Sequence, residues 1–155
     1  MSRPPATDLP ELLRGWAGRP TAWRPGVRHD PADRTYALLH RDDEVEVYVV
    51  CWMSGHDTGF HDHDESVASI MVIEGSVREE RLALGDPVGT VVTAGEVIEV
   101  PSDAIHRVRH AGRTPAITLH AYCPPLARVG AYHLTAEGTL VRRSRDADIA
   151  LEAAA

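Results

Sequence analysis

Short runs of β-branched and other apolar residues, separated by turn-forming residues, recur along most of this chain of 155 residues. Each run is too short for a typical helix, and their close, regular spacing is typical of an all-β sandwich or barrel. We predict strands at RTYALLH (34–40), EVEVYVVCW (44–52), SIMVIEG (69–75), VREERLAL (77–84), VGTVVTAG (88–95), EVIEVP (96–101), HRVRHAG (106–112), AITLHAYCPP (116–125) and, from weaker patterns, VGAYHLT (129–135) and TLVRR (139–143).

The segment before the first predicted strand has a helical pattern. Asp8 and Glu11 have the spacing of a capping box, and Gly18 and Pro20 end the pattern. One apolar face of this short helix is formed by Leu9, Leu12, Leu13 and Trp16. Residues 19–33 are rich in proline, glycine and charge and are predicted to be loop.

This pattern predicts one structural domain with short additions at both ends. Residues 1–33 are expected to form a tail, the short helix and a loop that pack on the barrel. The barrel domain itself is expected over residues 34–145. Residues 146–155 are expected to form a frayed or weakly helical C-terminal tail.

Charge and composition narrow the function classes. The net charge of -7 argues against binding to nucleic acid or to an anionic membrane surface. No run approaches the ~20 apolar residues of a membrane span, and the first residues contain no apolar leader. Cys51 and Cys123 lie in apolar runs and are expected to be free thiols in a reducing compartment. We therefore expect a cytoplasmic monomer or small homo-oligomer.

The histidines carry the most specific information. His61 and His63 are separated by one residue, so on a strand their side chains would point to the same side. By itself this pair fits either a metal site or a solvated, charged loop. A third histidine, His106, follows on another predicted strand.

The spacing around these histidines resembles the two sequence motifs of the cupin superfamily. Gly55 precedes His61 and His63 by the spacing of the first motif, which ends at Gly75. In the second motif Gly95 is followed by Pro101 and His106, with Asp103 where the motif has glycine. The resemblance implies a small jelly-roll barrel, that is, a cupin-type β-barrel, whose motifs converge on one metal ion.

The expected metal ligands are His61, His63 and His106. Cupins commonly add a glutamate, but its positions here hold Val67 and Ala68. Three neutral imidazoles leave the charge of a metal dication uncompensated, which suits an anionic substrate together with dioxygen.

The residues around the motifs resemble the thiol dioxygenases, including cysteine dioxygenase. The resemblance rests on CWxxGHxTxxHDHxxS (51–66), IEGSVREERL (73–82), IHRVRH (105–110) and TLHAYCPP (118–125). It implies Fe(II) as cofactor, O2 as co-substrate, and oxidation of a small thiol or thione to a sulfinate. It also implies a catalytic relay of Thr118, His120 and Tyr122, in which threonine replaces serine, and a cis Cys123–Pro124 bond.

Two departures from the family bear on the chemistry. Ala68 stands where animal cysteine dioxygenases have a cysteine bonded to the active-site tyrosine, so no Cys–Tyr crosslink is expected. The family's Tyr-x-Arg on an early strand is inverted here, with Arg34 first and Tyr36 second. We expect Arg34 and Tyr36 to contact substrate, and His56 to lie at the entrance.

The inverted pair leaves the substrate open. L-cysteine or a related carboxylate-bearing thiol is expected, and 3-mercaptopropionate, mercaptosuccinate, cysteamine and ergothioneine remain alternatives. A non-catalytic, effector-binding cupin is a further alternative. Of the other histidines, His29, His40 and His133 are expected near the surface, and His110 is expected either close behind the last ligand or at the surface. Glu79, Glu80 and Arg81 are expected to form an outward strand face.

Overall fold

The computed structural model describes residues 7–147, which form eleven strands and three short helical segments. The helical segments are α1 (Leu9–Ala17), α2 (Pro20–Trp23) and a 3-10 helix (Arg24–Gly26). The strands are β1 (Thr35–Arg41), β2 (Glu46–Trp52), β3 (His61–Asp62), β4 (Val67–Glu74), β5 (Ser76–Arg81), β6 (Val88–Thr93), β7 (Val97–Val100), β8 (His106–Ala111), β9 (Ala116–Cys123), β10 (Arg128–Leu134) and β11 (Leu140–Asp146). The predicted all-β class is confirmed.

The strands form two antiparallel sheets. The first sheet has five strands in the order β1-β2-β9-β4-β7, and the second has six in the order β11-β10-β3-β8-β5-β6. A buried cluster that includes Trp52, Ile70, Val77 and Val108 takes side chains from both sheets. The space between the sheets is therefore the main core, and side chains at one end of it form the site described below.

Strands β2 and β9 of the first sheet are buried on both faces. Every residue of β2 is buried, and so is every residue of β9 except Cys123. The outer face of this sheet forms a second apolar cluster with the helical segments, which contribute Leu9, Leu13 and Trp23. This double burial explains why the sequences of β2 and β9 read as nearly continuous apolar runs.

The predicted N-terminal helix is present as α1, with Asp8 as its N-cap. The Asp8 carboxylate accepts a hydrogen bond from the Glu11 backbone N–H at 3.1 Å, as the capping-box spacing predicts. The prediction of loop for residues 19–33 is wrong over Pro20–Gly26, which form α2 and the 3-10 helix. Prolines at the start of both segments preset the backbone for a helical turn.

The chain ends differ in part from the sequence prediction. Strand β11 reaches Asp146, beyond the predicted end at residue 143, and Ala147 is buried. The predicted N-terminal tail over residues 1–6 and the C-terminal tail beyond 147 lie outside the described residues.

Across residues 7–147, no helix combines the length and apolarity that a bilayer crossing requires.

Shortening Leu13 tests how much α1 contributes to stability. Leu13 is fully buried against the outer face of the first sheet, so Leu13→Ala should lower the free energy of unfolding by about 2–5 kcal/mol. Urea titration followed by circular dichroism measures this change. The matched control is Leu84→Ala, at a fully exposed leucine, which should leave the urea midpoint unchanged. Equal midpoints for the two variants would contradict the packing of α1.

Candidate metal centre

Three histidines converge between the two sheets. His61 begins β3, His63 directly follows that strand, and His106 begins β8. His61 and His106 are direct cross-strand partners in the second sheet. One nitrogen from each of the three rings lies within 4.8 Å of the others, a spacing that a single metal ion can bridge. The structure thus brings together all the histidines predicted to be metal ligands.

The hydrogen bonds of these rings leave nitrogens available to a metal. His61 donates its Nδ1–H to the Gly59 carbonyl oxygen at 2.9 Å. His106 donates its Nδ1–H to Glu79 Oε2 at 2.8 Å, and its buried Nε2 has no hydrogen-bond partner. His63 Nδ1 is also buried without a partner. Buried polar atoms rarely lack partners, so these orphaned nitrogens fit a metal that completes the site.

Burial keeps the imidazoles of His61 and His63 neutral. It lowers the pKa of His61 to about 3, with a further contribution from neighbouring His106. Burial also lowers the pKa of His63 well below its ordinary value. A neutral imidazole has the lone pair that coordination needs, so no proton has to leave before a metal binds at physiological pH.

Glu79 supports the centre, and the sequence prediction missed it. The prediction of an outward strand face is wrong for Glu79, whose cross-strand partner Val108 lines the cavity. Burial by itself would raise the pKa of Glu79, but its contacts with His106 and Arg81 outweigh that effect and lower the pKa. The carboxylate therefore stays ionised and fixes the ring orientation of His106.

A polar row on β9 faces the histidines from the first sheet. Trp52 donates its indole N–H to Thr118 Oγ1 at 2.8 Å, and Thr118 Oγ1 lies 2.7 Å from His120 Nε2. His120 Nδ1 lies 3.2 Å from the Tyr122 hydroxyl. The rings of Tyr122 and His63 have centroids 5.2 Å apart. The predicted relay residues thus form one connected chain that ends beside the candidate ligands.

Burial also sets the proton states of this row. It lowers the pKa of His120 to about 3, and the positive charge of Arg34 acts in the same direction. Burial raises the pKa of Tyr122, and the Arg34 charge only partly opposes that rise. Tyr122 therefore stays a protonated phenol that can donate a hydrogen bond.

The histidines and the relay line a cavity of about 190 Å³. Apolar lining residues include Ile70, Leu126 and Val129. Two arginines, Arg34 and Arg145, also line it, whereas none of the described lining residues is an aspartate or a glutamate. The described lining thus carries positive charge without an acidic counterpart.

The three residues expected to bind substrate occupy different places. Arg34 lines the cavity, with its guanidinium carbon 5.2 Å from the centre of the Trp52 ring. Tyr36 packs edge-on against Tyr48 within the core. His56 accepts a hydrogen bond from the Met53 backbone N–H and contacts the Pro31 carbonyl. Of these three residues, only Arg34 is among the described residues that line the cavity. The contacts of His56 instead connect two loop segments.

The other histidines lie outside the cavity. His40 is paired with Asp42, His133 is exposed, and His29 is half-buried. His110 contacts the Thr114 carbonyl oxygen at 2.7 Å, toward the end of β8 remote from the ligand His106. The Cys123–Pro124 bond is cis, as the resemblance implied. Cys51 and Cys123 are both free thiols, Cys51 buried and Cys123 half-buried.

Replacing Glu79 by glutamine tests its role behind His106. The neutral amide accepts a weaker hydrogen bond from His106 Nδ1–H, so Glu79→Gln should weaken metal binding by about 10- to 100-fold. Competition with a chromophoric chelator measures the affinity. Glu80→Gln is the matched control, because Glu80 is equally buried but pairs with Arg78 and Arg109. Equal affinities of the two variants would refute a role for Glu79 in holding the ligand.

Comparison with known proteins agrees with this geometry. The family model for cysteine dioxygenase type I matches residues 6–135. The Homo sapiens cysteine dioxygenase type 1 is 24% identical over 129 residues, covering 76% of this chain and 64% of that protein. The Danio rerio protein is 25% identical over 130 residues, covering 76% of this chain and 65% of that protein. The chain thus spans somewhat less than two thirds of the length of these relatives.

Solved structures agree on the architecture. A conserved Klebsiella pneumoniae protein with a double-stranded β-helix domain superposes with a TM-score of 0.59 at 19% identity, covering 65% of this chain and 80% of that one. This likeness confirms the predicted cupin-type jelly roll. Because the family match extends over most of the chain and includes all three histidines, the chain belongs to the cysteine dioxygenase type I family.

Proposed function

We propose that this protein is a non-haem Fe(II) thiol dioxygenase that adds both atoms of O2 to the sulfur of a small thiol to give a sulfinate. The observation that carries the proposal is the pairing of two features in one cavity. Three histidines, of which His63 and His106 each have a buried nitrogen without a hydrogen-bond partner, face a hydrogen-bonded tyrosine that can donate a proton. Family membership supports the same reaction.

The donor set favours Fe(II) with open coordination positions. His61, His63 and His106 supply three nitrogens, and no carboxylate joins them among the described residues. The positions where cupins commonly have a glutamate hold Val67 and Ala68. When bound there, Fe(II) would lower the pKa of a coordinated thiol and hold thiolate and dioxygen next to each other.

The relay is suited to keeping the Tyr122 proton available in the cavity. Because Trp52 donates to Thr118 Oγ1, the threonine proton can go to His120 Nε2. His120 then carries its proton on Nδ1 and donates it to the tyrosine oxygen. This tautomer leaves the phenolic O–H of Tyr122 to point at reactants beside His63. Tyr122 would thus stabilise the negative charge that develops as O2 is reduced.

Arg34 is the group best placed to hold a substrate carboxylate. Burial lowers its pKa, yet a guanidinium remains protonated throughout the physiological range. Its guanidinium lies over the Trp52 ring, and a guanidinium can bind a carboxylate with two parallel hydrogen bonds. L-Cysteine or a related carboxylate-bearing thiol fits this arrangement, whereas cysteamine lacks the carboxylate.

The reaction balances without a further reductant. The thiolate sulfur loses four electrons as it forms two bonds to oxygen, and O2 gains those four electrons. The thiol proton returns to the medium or to the sulfinate. The protein therefore has to supply only the binding site, the orientation of the substrate and the proton donor.

Tyr122 is proposed to act as an unmodified phenol. Its cross-strand neighbour in β4 is Ala68, whose methyl group offers no sulfur for a crosslink. Cys123 is adjacent along β9 and so points to the opposite face of the strand. Cys51 lies on β2, where its partner in β9 is Ile117 on the outer face.

Oxygen consumption by the Fe(II)-loaded protein tests the proposed function. The panel is L-cysteine, 3-mercaptopropionate, mercaptosuccinate, cysteamine and ergothioneine, with products analysed by mass spectrometry. We expect uptake with a carboxylate-bearing thiol and a product heavier by two oxygen atoms. His106→Ala is the control and should lose both the iron and the uptake. An iron-loaded protein that consumes no O2 with any of these compounds would favour an effector-binding cupin.

Replacing Tyr122 by phenylalanine separates metal binding from catalysis. Tyr122→Phe removes the proton donor but no metal ligand, so iron content should be unchanged while kcat falls by about 100-fold or more. Iron content by absorption spectroscopy and steady-state oxygen uptake measure the two effects. Tyr48→Phe, at a neighbouring ring in contact with Tyr122, is the matched control and should keep nearly full kcat. Full activity of Tyr122→Phe would contradict its catalytic role.

A further inference from the structure

Arg145 reaches the cavity because of its register in the second sheet. On β11 it pairs directly with Val129 of β10, and paired residues point to the same side of a sheet. Val129 faces the cavity, and Arg145 lines that cavity with it. The neighbour Arg142 points the other way, where it binds Asp62 at 2.8 Å.

Arg145 differs in its partners from two other arginines of its hairpin, whereas Arg143, like Arg145, makes no ion pair with a described residue. Arg142 pairs with Asp62 and Asp64, and Arg128 pairs with Asp146. Among the described residues, no carboxylate lies within ion-pair distance of Arg145. Arg145 is exposed and lines the cavity, so its guanidinium can reach both solvent and an anion bound at the cavity mouth.

The two cavity arginines come from opposite sheets. Arg34 directly precedes β1 at the edge of the first sheet, and Arg145 lies on β11 at the edge of the second. The three histidines and Tyr122 line the same cavity. A small molecule whose sulfur lies at the histidines is therefore exposed to one guanidinium from each sheet.

We propose that Arg145 is a second anion-binding residue and that the preferred substrate is a thiol carrying two carboxylates. This inference rests on the proposed thiol dioxygenase function and specifies its substrate class. One carboxylate is held by Arg34 and the other by Arg145, while the sulfur lies beside His61, His63 and His106.

The charge of the cavity lining supports a dianionic ligand over a zwitterionic one. No described lining residue is acidic, so a substrate ammonium would have no carboxylate of the protein to contact. A second carboxylate, by contrast, gains a charge-assisted hydrogen bond from the guanidinium of Arg145. The cavity of about 190 Å³ accommodates a molecule of only a few carbon atoms.

Anaerobic titration calorimetry of the Fe(II)-loaded protein tests this inference without turnover. The probes are mercaptosuccinate, with two carboxylates, and 3-mercaptopropionate, with one. We expect the wild-type protein to bind mercaptosuccinate about 10- to 100-fold more tightly, the effect of one additional charge-assisted hydrogen bond. Arg145→Gln should abolish that preference and leave the Kd of 3-mercaptopropionate within about twofold.

Arg143→Gln is the matched control. Arg143 lies on the same strand, has the same charge and points to the same side, but it is not among the residues that line the cavity. This variant should keep the wild-type preference, and Arg145→Lys should keep part of it. Equal loss in Arg143→Gln and Arg145→Gln would show a general charge effect and overturn the inference, as would an unchanged preference in Arg145→Gln.

Oxygen uptake under air separates this inference from the proposed function. Arg145-dependent binding of mercaptosuccinate without oxygen uptake would refute the dioxygenase activity and leave the dianion site in place. Uptake with 3-mercaptopropionate or L-cysteine, together with no preference for mercaptosuccinate, would overturn the dianion site and leave the dioxygenase activity.

Discussion

The alternation of side chains along β9 determines both the core and the site. Ile117, Leu119 and Ala121 face outward into the apolar cluster beneath α1, whereas Thr118, His120 and Tyr122 face the space between the sheets. A slip of one residue in pairing would exchange the two sets and bury the polar row in the apolar cluster. Packing on one face of this strand therefore holds the register of the relay on the other.

The histidine centre is costly to the fold when nothing occupies it. Neutral imidazoles are buried with nitrogens that lack hydrogen-bond partners, and such burial is unfavourable unless a ligand satisfies those nitrogens. Hydrogen bonds from His61 to Gly59 and from His106 to Glu79 offset part of this unfavourable free energy and orient the two rings. Metal binding therefore stabilises the folded state, so the free energy of unfolding should rise with metal loading.

Much of this arrangement follows from the sequence, and the exceptions have physical reasons. Strand periodicity predicts that His61 and His63 point to the same side, and the resemblance to the cupin motifs adds His106 as the third ligand. Glu79 was missed because the run VREER reads as a solvated face, although Val77, two residues earlier, is apolar and shares its side of β5. Arg145 has no local signal, since only the register between β10 and β11 directs it into the cavity.

Charge balance connects the centre to its substrate. Three neutral imidazoles leave a bound dication with its full charge, and the guanidiniums of Arg34 and Arg145 add to it in a lining without described acids. Such a cavity favours anions in proportion to their charge, because opposite charges attract strongly where water is scarce. An ionised thiol with two carboxylates offsets most of this positive charge, whereas an ammonium on the substrate would add to it. In the proposed function, the lack of acids among the described lining residues therefore both leaves the metal open to reactants and favours a thiol with two carboxylates.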